Sequence, residues 1–212
     1  MESSPNENKK STHDTPDAMQ KEAPQKKDNL VVEIIRFSII ALVVVLPIRL
    51  FIAQPFIVSG ASMETTFSTG QYLIVDQVTY RLEEPERGDV IIFRYPKQPS
   101  KFFIKRIIGL PGDTIEINGH EVKITNADHP EGAFLNEDYI LDLKPLGMLT
   151  ETLGENEYFV MGDNRDQSSD SRSWGVLHRD YIVGRAFLRL FPVSELGVLP
   201  GEYDIENNIG NF

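Results

Sequence analysis

An apolar run near the start of the chain constrains the fold more than any other feature of the sequence. It extends from Leu30 to Ala53 and is interrupted by Glu33, Arg36 and Arg49. A helix from Val31 to Ala53 rises roughly 34 Å, which is enough to cross a hydrocarbon core of about 30 Å. Both arginines would lie near the helix ends, from which a long side chain reaches the lipid headgroups. The sequence therefore predicts one transmembrane anchor, residues 30–53.

Two alternatives for this run stay open. Short apolar runs are also typical of buried helices in soluble proteins. A cleavable signal peptide is the other alternative, because Ser59 and Ala61 form a small-x-small pair after the run, although the preceding polar segment is longer than an ordinary signal-peptide start. Pro47 is expected to kink a helix that continues through it.

The charges on the two sides of the run predict its orientation. Residues 1–29 are rich in Lys, Glu, Asp, Asn, Ser and Pro, so this segment is expected to be a disordered tail. Basic residues are concentrated on the early side, at Lys21, Lys26, Lys27 and Arg36, against Arg49 on the far side. By the positive-inside rule the tail is cytoplasmic. The sequence thus predicts a single-pass protein of the cell membrane whose folded domain is extracytoplasmic.

Composition limits the chemistry of the rest of the chain. A chain of 212 residues with 41% hydrophobic residues supports one folded domain beyond the anchor, expected at residues 54–200. The formal net charge of −11 argues against nucleic acid, because no basic stripe is present to neutralise phosphates. There is no cysteine, so disulfide and thiol chemistry are excluded. The sequence also lacks an HExxH pattern and a phosphate-binding loop, and we expect no metal or other cofactor.

Beyond Ser62 the pattern is that of a mainly β domain. Short alternating or β-branched runs are separated by turn residues, at 71–78, 90–95, 102–108, 114–117, 121–124, 158–161 and 181–190. Asn118-Gly119 between two of these runs predicts a hairpin. The more polar residues 126–156 predict an excursion or subdomain, and residues 201–212 a polar C-terminal tail.

One segment of the chain offers a candidate serine nucleophile, and a second segment offers a lysine that could act as its base. Ser59-Gly60-Ala61-Ser62-Met63 follows the apolar run, and Lys105 lies in a strand pattern that would place it on one face with Phe103 and Ile107. Burial disfavours the ammonium and lowers the pKa of lysine from about 10.4 toward neutrality, so that the amine can take a proton from a hydroxyl. The four histidines lack a matching serine motif. Ser62 is therefore the candidate nucleophile and Lys105 the candidate base.

Four segments of this chain, in order, resemble the boxes of bacterial type I signal peptidases. They are residues 59–63, 87–93, 105–113 and 162–175, within a match from about Ile34 to Phe191. The resemblance implies an antiparallel β-sheet catalytic domain behind one N-terminal membrane helix. It also implies a membrane-bound serine endopeptidase, without cofactor, that removes signal peptides from exported preproteins after small residues. Its partners would be these preproteins and the lipid bilayer.

The resemblance also implies roles for individual residues. The backbone N–H of Ser62, with the backbone at Gly60, would form the oxyanion hole, and Ser168 would contact and orient the ammonium of Lys105. Arg106 is expected to face away from Lys105 and to be solvated or structural. The remaining supporting residues, expected to form charge pairs, are Asp163, Asp170 and Arg172.

A calcium-loop interpretation of the last box fails. Asp163, Asp166 and Asp170 resemble EF-hand ligands, but Arg165 and Ser168 occupy positions that need a ligand and a glycine. Asn164, Arg165 and Trp174 are expected to be loop-packing residues.

Position 65 departs from the family pattern. The family has proline three residues after the nucleophile, where this chain has Thr65. Proline fixes φ, so threonine is expected to loosen the loop that carries Ser62. A catalytically impaired, membrane-tethered binding domain is therefore an alternative function. A LexA-type self-cleaving Ser-Lys protease is another, disfavoured by the anchor and by the absence of a helix-turn-helix region.

Overall fold

The computed structural model describes residues 30–140, 145–203, 205 and 209–210. The chain divides into two units, Met1–Ile40 and Ala41–Phe212, and the division falls inside the first helix. The predicted disordered tail, residues 1–29, lies outside the described residues.

The apolar run forms a helix with the length and composition to cross a membrane. Helix α1 spans Leu30–Pro47, which is 18 residues, and a π-helical turn continues over Ile48–Ile52. The α-helix thus ends at Pro47, the residue expected to disturb it, and the chain becomes extended at Ala53. None of the α1 side chains is buried. A core helix of a soluble protein buries one face, so the structure disfavours that alternative.

The remaining described elements are mainly antiparallel strands, as the sequence predicted. In chain order they are β1 (Ala53–Ile57), β2 (Tyr72–Asp76), β3 (Val90–Arg94), β4 (Phe102–Gly109), β5 (Thr114–Asn118), β6 (Glu121–Thr125), β7 (Ala133–Leu135), β8 (Met148–Thr152), β9 (Glu157–Met161), β10 (Leu177–His178), β11 (Ile182–Phe191), β12 (Gly197–Val198) and β13 (Ile209–Gly210). Two short helices are also present, α2 (Thr79–Leu82) and α3 (Ser171–Trp174), with 3-10 turns at Arg165–Gln167, Arg179–Tyr181 and Val193–Glu195.

These strands form two sheets. The main sheet has the order β1-β2-β11-β3-β4-β9-β10, with β12 beside β11. The second sheet has the order β13-β7-β6-β5-β8, so it holds the excursion predicted at 126–156 together with the strands before it. Its β5–β6 hairpin turns at Gly119, which has φ +61° and follows the predicted Asn118. Ile205 is fully buried and β13 pairs with β7, so the segment expected to be a polar tail takes part in the fold.

The central strand β3 is buried on both faces of the main sheet. Val90 and Ile92 pack in one apolar cluster with Met63, while Ile91 and Phe93 pack in the cluster on the opposite face. Side chains on successive strand residues point to opposite faces, so a strand buried on both sides is apolar throughout. Strand β4 pairs with β3 along Phe102 to Arg106 and is held in place by it. The candidate site is built on β4.

Candidate active site

Ser62 lies in the loop between β1 and β2. The base of this loop is closed by two backbone hydrogen bonds, from Val58 N to Gln71 O and from Gly70 N to Val58 O, each 2.9 Å. Met63 and Phe67 are 1% and 0% exposed and insert into the apolar cluster under the loop. The buried side chains of Met63 and Phe67 therefore hold the Ser62 turn against the sheet.

Lys105 reaches this hydroxyl from β4. Strand β9 pairs with β4 from Arg106 to Gly109 and ends there, so the edge of β4 at Lys105 is not covered by β9. The Lys105 Nζ donates to Ser62 Oγ at 2.6 Å and to the Ile104 carbonyl at 2.8 Å. It also lies 5.5 Å from the centroid of the Phe103 ring. The structure therefore brings together the serine and the lysine that the sequence paired.

The surroundings of Lys105 change its ionisation. Its side chain is on the face that carries Ile91 and Phe93, with Ile107 in the same cluster, and the residue is 3% exposed. Burial lowers the pKa of Lys105 to about 8, although the charges of Asp170 and Asp163 act in the opposite direction. A neutral amine at hydrogen-bond distance from a hydroxyl can remove the hydroxyl proton.

Asp163 forms a buried charge pair with the neighbour of Lys105. The Arg106 guanidinium donates from Nε to Asp163 Oδ1 at 2.9 Å and from Nη2 to Oδ2 at 2.6 Å. The sequence predicted that Arg106 is either solvated or structural. Arg106 is 1% exposed, so the prediction of a solvated side chain is wrong and that of a structural role is met. Its Nη1 also donates to the carbonyls of Gly88 and Gly201, at 2.8 and 2.6 Å.

Asp170 and Arg172 form a second pair. Arg172 donates from Nε and Nη2 to the two carboxylate oxygens of Asp170, at 2.8 Å each. Burial favours the neutral acid, but the hydrogen bonds and charge of Arg172 hold the pKa of Asp170 below its ordinary value. The same carboxylate accepts from Gly162 N at 3.1 Å, and it caps α3 by accepting from Arg172 N. This pair therefore fixes the turn that follows β9.

Ser168 and Gly60 differ from their expected roles. The Ser168 hydroxyl is buried and makes no hydrogen bond with the Lys105 ammonium, so the expected contact is not formed. It lies instead beside Asp170, where it helps to lower the pKa of that carboxyl. The Gly60 N–H donates to Thr69 Oγ1 at 3.1 Å. Because it already has this acceptor, it is not available to donate to the oxyanion of a bound substrate. The Ser62 N–H, by contrast, has no hydrogen-bond acceptor among the described residues.

Gly162 is a site residue to which the motif argument gave no individual role. A Cβ built on it would lie 2.3 Å from both Ser168 Oγ and the Ser62 carbonyl. Any side chain at this position would therefore push the Ser62 turn away from β9. Gly162 opens the last of the four boxes, and a glycine at the end of a strand is a signal of close backbone approach.

A cleft of about 290 Å³ adjoins Ser62 and Lys105. Two strand edges face it. One belongs to β1, which ends the order of the main sheet, and the other to Phe102–Lys105 of β4, beyond the pairing with β9. The rings of Phe56 and Phe102 meet edge to face, 5.2 Å apart, and both line the cleft. Gln167 and Ser169, which sequence reasoning missed, line it from the last box.

A hydrogen-bonded serine and buried lysine beside a cleft with open strand edges are typical of serine hydrolases that use a lysine base. Comparison with known proteins agrees with this class. The family model for signal peptidase, peptidase S26, matches residues 31–191. The chain belongs to this family, which confirms the resemblance seen in the sequence and sets aside the LexA-type alternative.

Three relatives cover most of the chain. Probable signal peptidase I-1 of Synechocystis sp. is 37% identical over 79% of this chain and 86% of its own length. Probable signal peptidase I-2 of the same organism is 34% identical over 88% of this chain and 84% of its own. Signal peptidase I of Leptolyngbya laminosa is 35% identical over 89% of this chain and 93% of its own.

Proposed function

We propose that this chain is a working signal peptidase I, in which Ser62 is the nucleophile and Lys105 the general base. The observation that carries the proposal is the 2.6 Å contact between Ser62 Oγ and the Nζ of Lys105. The contact exists although position 65 is threonine. A dead binding domain whose loop had withdrawn from the lysine would lack it, so the geometry favours the enzyme over that alternative.

The reaction follows from the positions of these groups. Neutral Lys105 takes the proton of Ser62, and the Oγ forms a bond to the carbonyl carbon of the scissile peptide. The oxygen of that carbonyl becomes negative and accepts from the N–H of Ser62. The Lys105 ammonium then gives its proton to the leaving amine as the peptide C–N bond breaks. In the second half Lys105 takes a proton from water, and the water oxygen bonds to the carbonyl carbon of the ester. The ammonium then returns this proton to Ser62 Oγ as the ester C–O bond breaks and the new C-terminal carboxylate leaves.

The cleft supports an extended peptide as substrate. The open edges of β1 and of Phe102–Lys105 offer backbone donors and acceptors to a third strand placed between them. Apolar side chains beside Ser62, from Leu73, Ile92 and Ile104, suit the small uncharged residues that the resemblance implies before the cleavage site. We propose exported preproteins with signal peptides as the substrates.

The membrane is the second proposed partner. Helix α1 is the one helix of the described chain that is long and apolar enough to cross a bilayer. We propose that it anchors the protein in the cell membrane as a single pass and stays uncleaved. The basic residues before it support a cytoplasmic N-terminus and an extracytoplasmic catalytic domain.

Cleavage of a model preprotein by the purified full chain in detergent tests the proposal. We expect Ser62→Ala and Lys105→Ala each to abolish cleavage, with thermal unfolding unchanged in cooperativity. The double variant should lose no more than either single variant, because nucleophile and base act as one unit. Matched controls are Ser68→Ala and Lys101→Ala, exposed residues close in sequence to the two site residues. Wild-type rates in either site variant would refute the assignment.

A further inference from the structure

Thr66 is attached to the residues around Lys105 through its side chain. Its hydroxyl donates to Asp163 Oδ2 at 2.6 Å, and Asp163 is the carboxylate that accepts from Nε and Nη2 of Arg106. Arg106 directly follows Lys105 in β4. One hydrogen bond and one bidentate ion pair therefore connect the loop that carries the nucleophile to the strand that carries the base.

A second contact joins the same two segments at Ser62 itself. The N–H of Asn164 donates to the Ser62 carbonyl at 3.1 Å. Asp163 and Asn164 are consecutive, so this short segment holds the loop at two points, the carbonyl of Ser62 and the hydroxyl of Thr66. Two points of attachment fix the rotation of the intervening turn, whereas one would leave it free to swing.

The main chain of Thr66 is held from the other side. Arg189 of β11 donates from Nη2 to the Thr66 carbonyl at 2.7 Å. Its guanidinium lies 4.8 Å from the centroid of the Phe67 ring and is paired with Glu195 at 2.8 Å. The Thr66 methyl group packs against Gly201, where an added Cβ would come within 2.5 Å of it. Thr66 is thus contacted through its hydroxyl, its methyl group and its carbonyl.

From these contacts we infer that Thr66 is a positioning residue for catalysis: its hydroxyl sets the place of Ser62 Oγ relative to Lys105 Nζ. The inference rests on the proposed function of the Ser62–Lys105 pair. Thr66 does not line the cleft, so its effect falls on the chemical step and not on binding of the peptide. Loss of its hydroxyl leaves Asp163 still paired with Arg106, so the buried carboxylate keeps its counter-charge.

Two pairs of variants isolate the hydroxyl. Thr66→Val is compared with wild type, and Thr66→Ala is compared with Thr66→Ser. Within each pair the two side chains differ essentially by the presence of the hydroxyl. We expect each hydroxyl-free member to have a kcat about tenfold below that of its partner, a difference of about 1.4 kcal/mol in the barrier. KM should stay within about twofold, and Thr66→Ser should retain most of the wild-type kcat. Thr114→Val, which removes an exposed hydroxyl bonded to Thr152, is the control and should match wild type.

The outcomes separate this inference from the proposed function. If wild type cleaves, Ser62→Ala does not, and both hydroxyl-free variants keep the wild-type kcat, the role of Thr66 is refuted while the dyad stands. A rise in KM at constant kcat, or equal loss in Thr66→Ser and Thr66→Ala, refutes it as well. If Thr66→Val does not fold, the serine and alanine pair decides. If wild type and Ser62→Ala cleave alike, the proposed function itself fails.

Discussion

The ionisation of Lys105 results from two opposing effects. Burial removes water from the ammonium, and the nearby carboxylates of Asp163 and Asp170 restore part of its stability. Both carboxylates are engaged elsewhere, by Arg106 and Arg172, and their charges are therefore largely balanced before they act on Lys105. Burial consequently has the larger effect. The lysine is kept close to neutrality while every buried charge around it has a partner.

This balance predicts the pH dependence of cleavage. With a pKa of about 8, Lys105 is protonated below that pH and cannot accept the Ser62 proton, and it is neutral above it. The rate kcat/KM should therefore rise about tenfold between pH 7 and pH 9 and level off beyond. Steady-state cleavage of one preprotein over pH 6–10 measures this. A profile that is flat, or that falls with pH, contradicts a lysine base.

The contacts of Thr66 also bear on the threonine at position 65. The sequence predicted that loss of the family proline would loosen the Ser62 loop. In the structure this loop is held on both sides of Thr65, by Met63 and Phe67 in the core and by the contacts of Thr66. Packing and hydrogen bonds at these neighbouring residues restrict the conformation of the loop, as the fixed φ of a proline at position 65 would. A motif compared residue by residue does not show such compensation.

At the scale of elements, the segment after β9 connects the two sheets. Arg165 lies in the 3-10 turn of this segment and forms an ion pair with Glu137, which follows β7 of the second sheet. Arg165 also donates to the Gly162 carbonyl at 3.1 Å. The sequence identified Arg165 as a packing residue, but its partner is 28 positions away in the polar excursion. No periodicity or motif pairs such residues, because the contact depends on how the two sheets pack.

Removal of this charge should destabilise the domain. Glu137→Gln keeps the shape of the side chain but leaves the Arg165 guanidinium, 1% exposed, without its counter-charge. Breaking a buried pair in this way costs about 3 kcal/mol or more, which lowers Tm by about 6–12 °C in a domain of this size. Thermal unfolding of the purified chain measures the shift. Glu155→Gln, at an exposed position, is the control, and an equal Tm for the two variants would contradict the ion pair's contribution.

At the scale of the whole molecule, the sequence predicted the strands better than their arrangement. All seven predicted runs contain a strand, because alternation and β-branched composition are local signals. The other six described strands had no predicted run. Among them, β1 was missed because its residues continue the apolar run of the helix. The insertion of β11 between β2 and β3 was not predictable, since it joins segments about a hundred residues apart. Ser62 and Lys105 were found by motif, whereas Gly162 and Thr66 required the folded contacts.

Orientation in the membrane is a property that the sequence predicts through charge alone. Lys21, Lys26 and Lys27 precede the helix, and a cytoplasmic location for them is favoured by the positive-inside rule. The chain contains no cysteine. A single introduced thiol can therefore report which side of the membrane any position occupies, with no background from the protein itself.

Two single-cysteine variants test the predicted topology. Ser3→Cys places the thiol in the N-terminal segment, and Glu155→Cys places it in an exposed turn between β8 and β9. If the N-terminus is cytoplasmic, a membrane-impermeant maleimide should label Glu155→Cys in intact spheroplasts. The same reagent should label Ser3→Cys only after the spheroplasts are lysed. Both variants must retain preprotein cleavage, so that the labelled molecules are the folded enzyme. Labelling of Ser3→Cys in intact spheroplasts, with Glu155→Cys protected, would place the catalytic domain in the cytoplasm and contradict its access to exported preproteins.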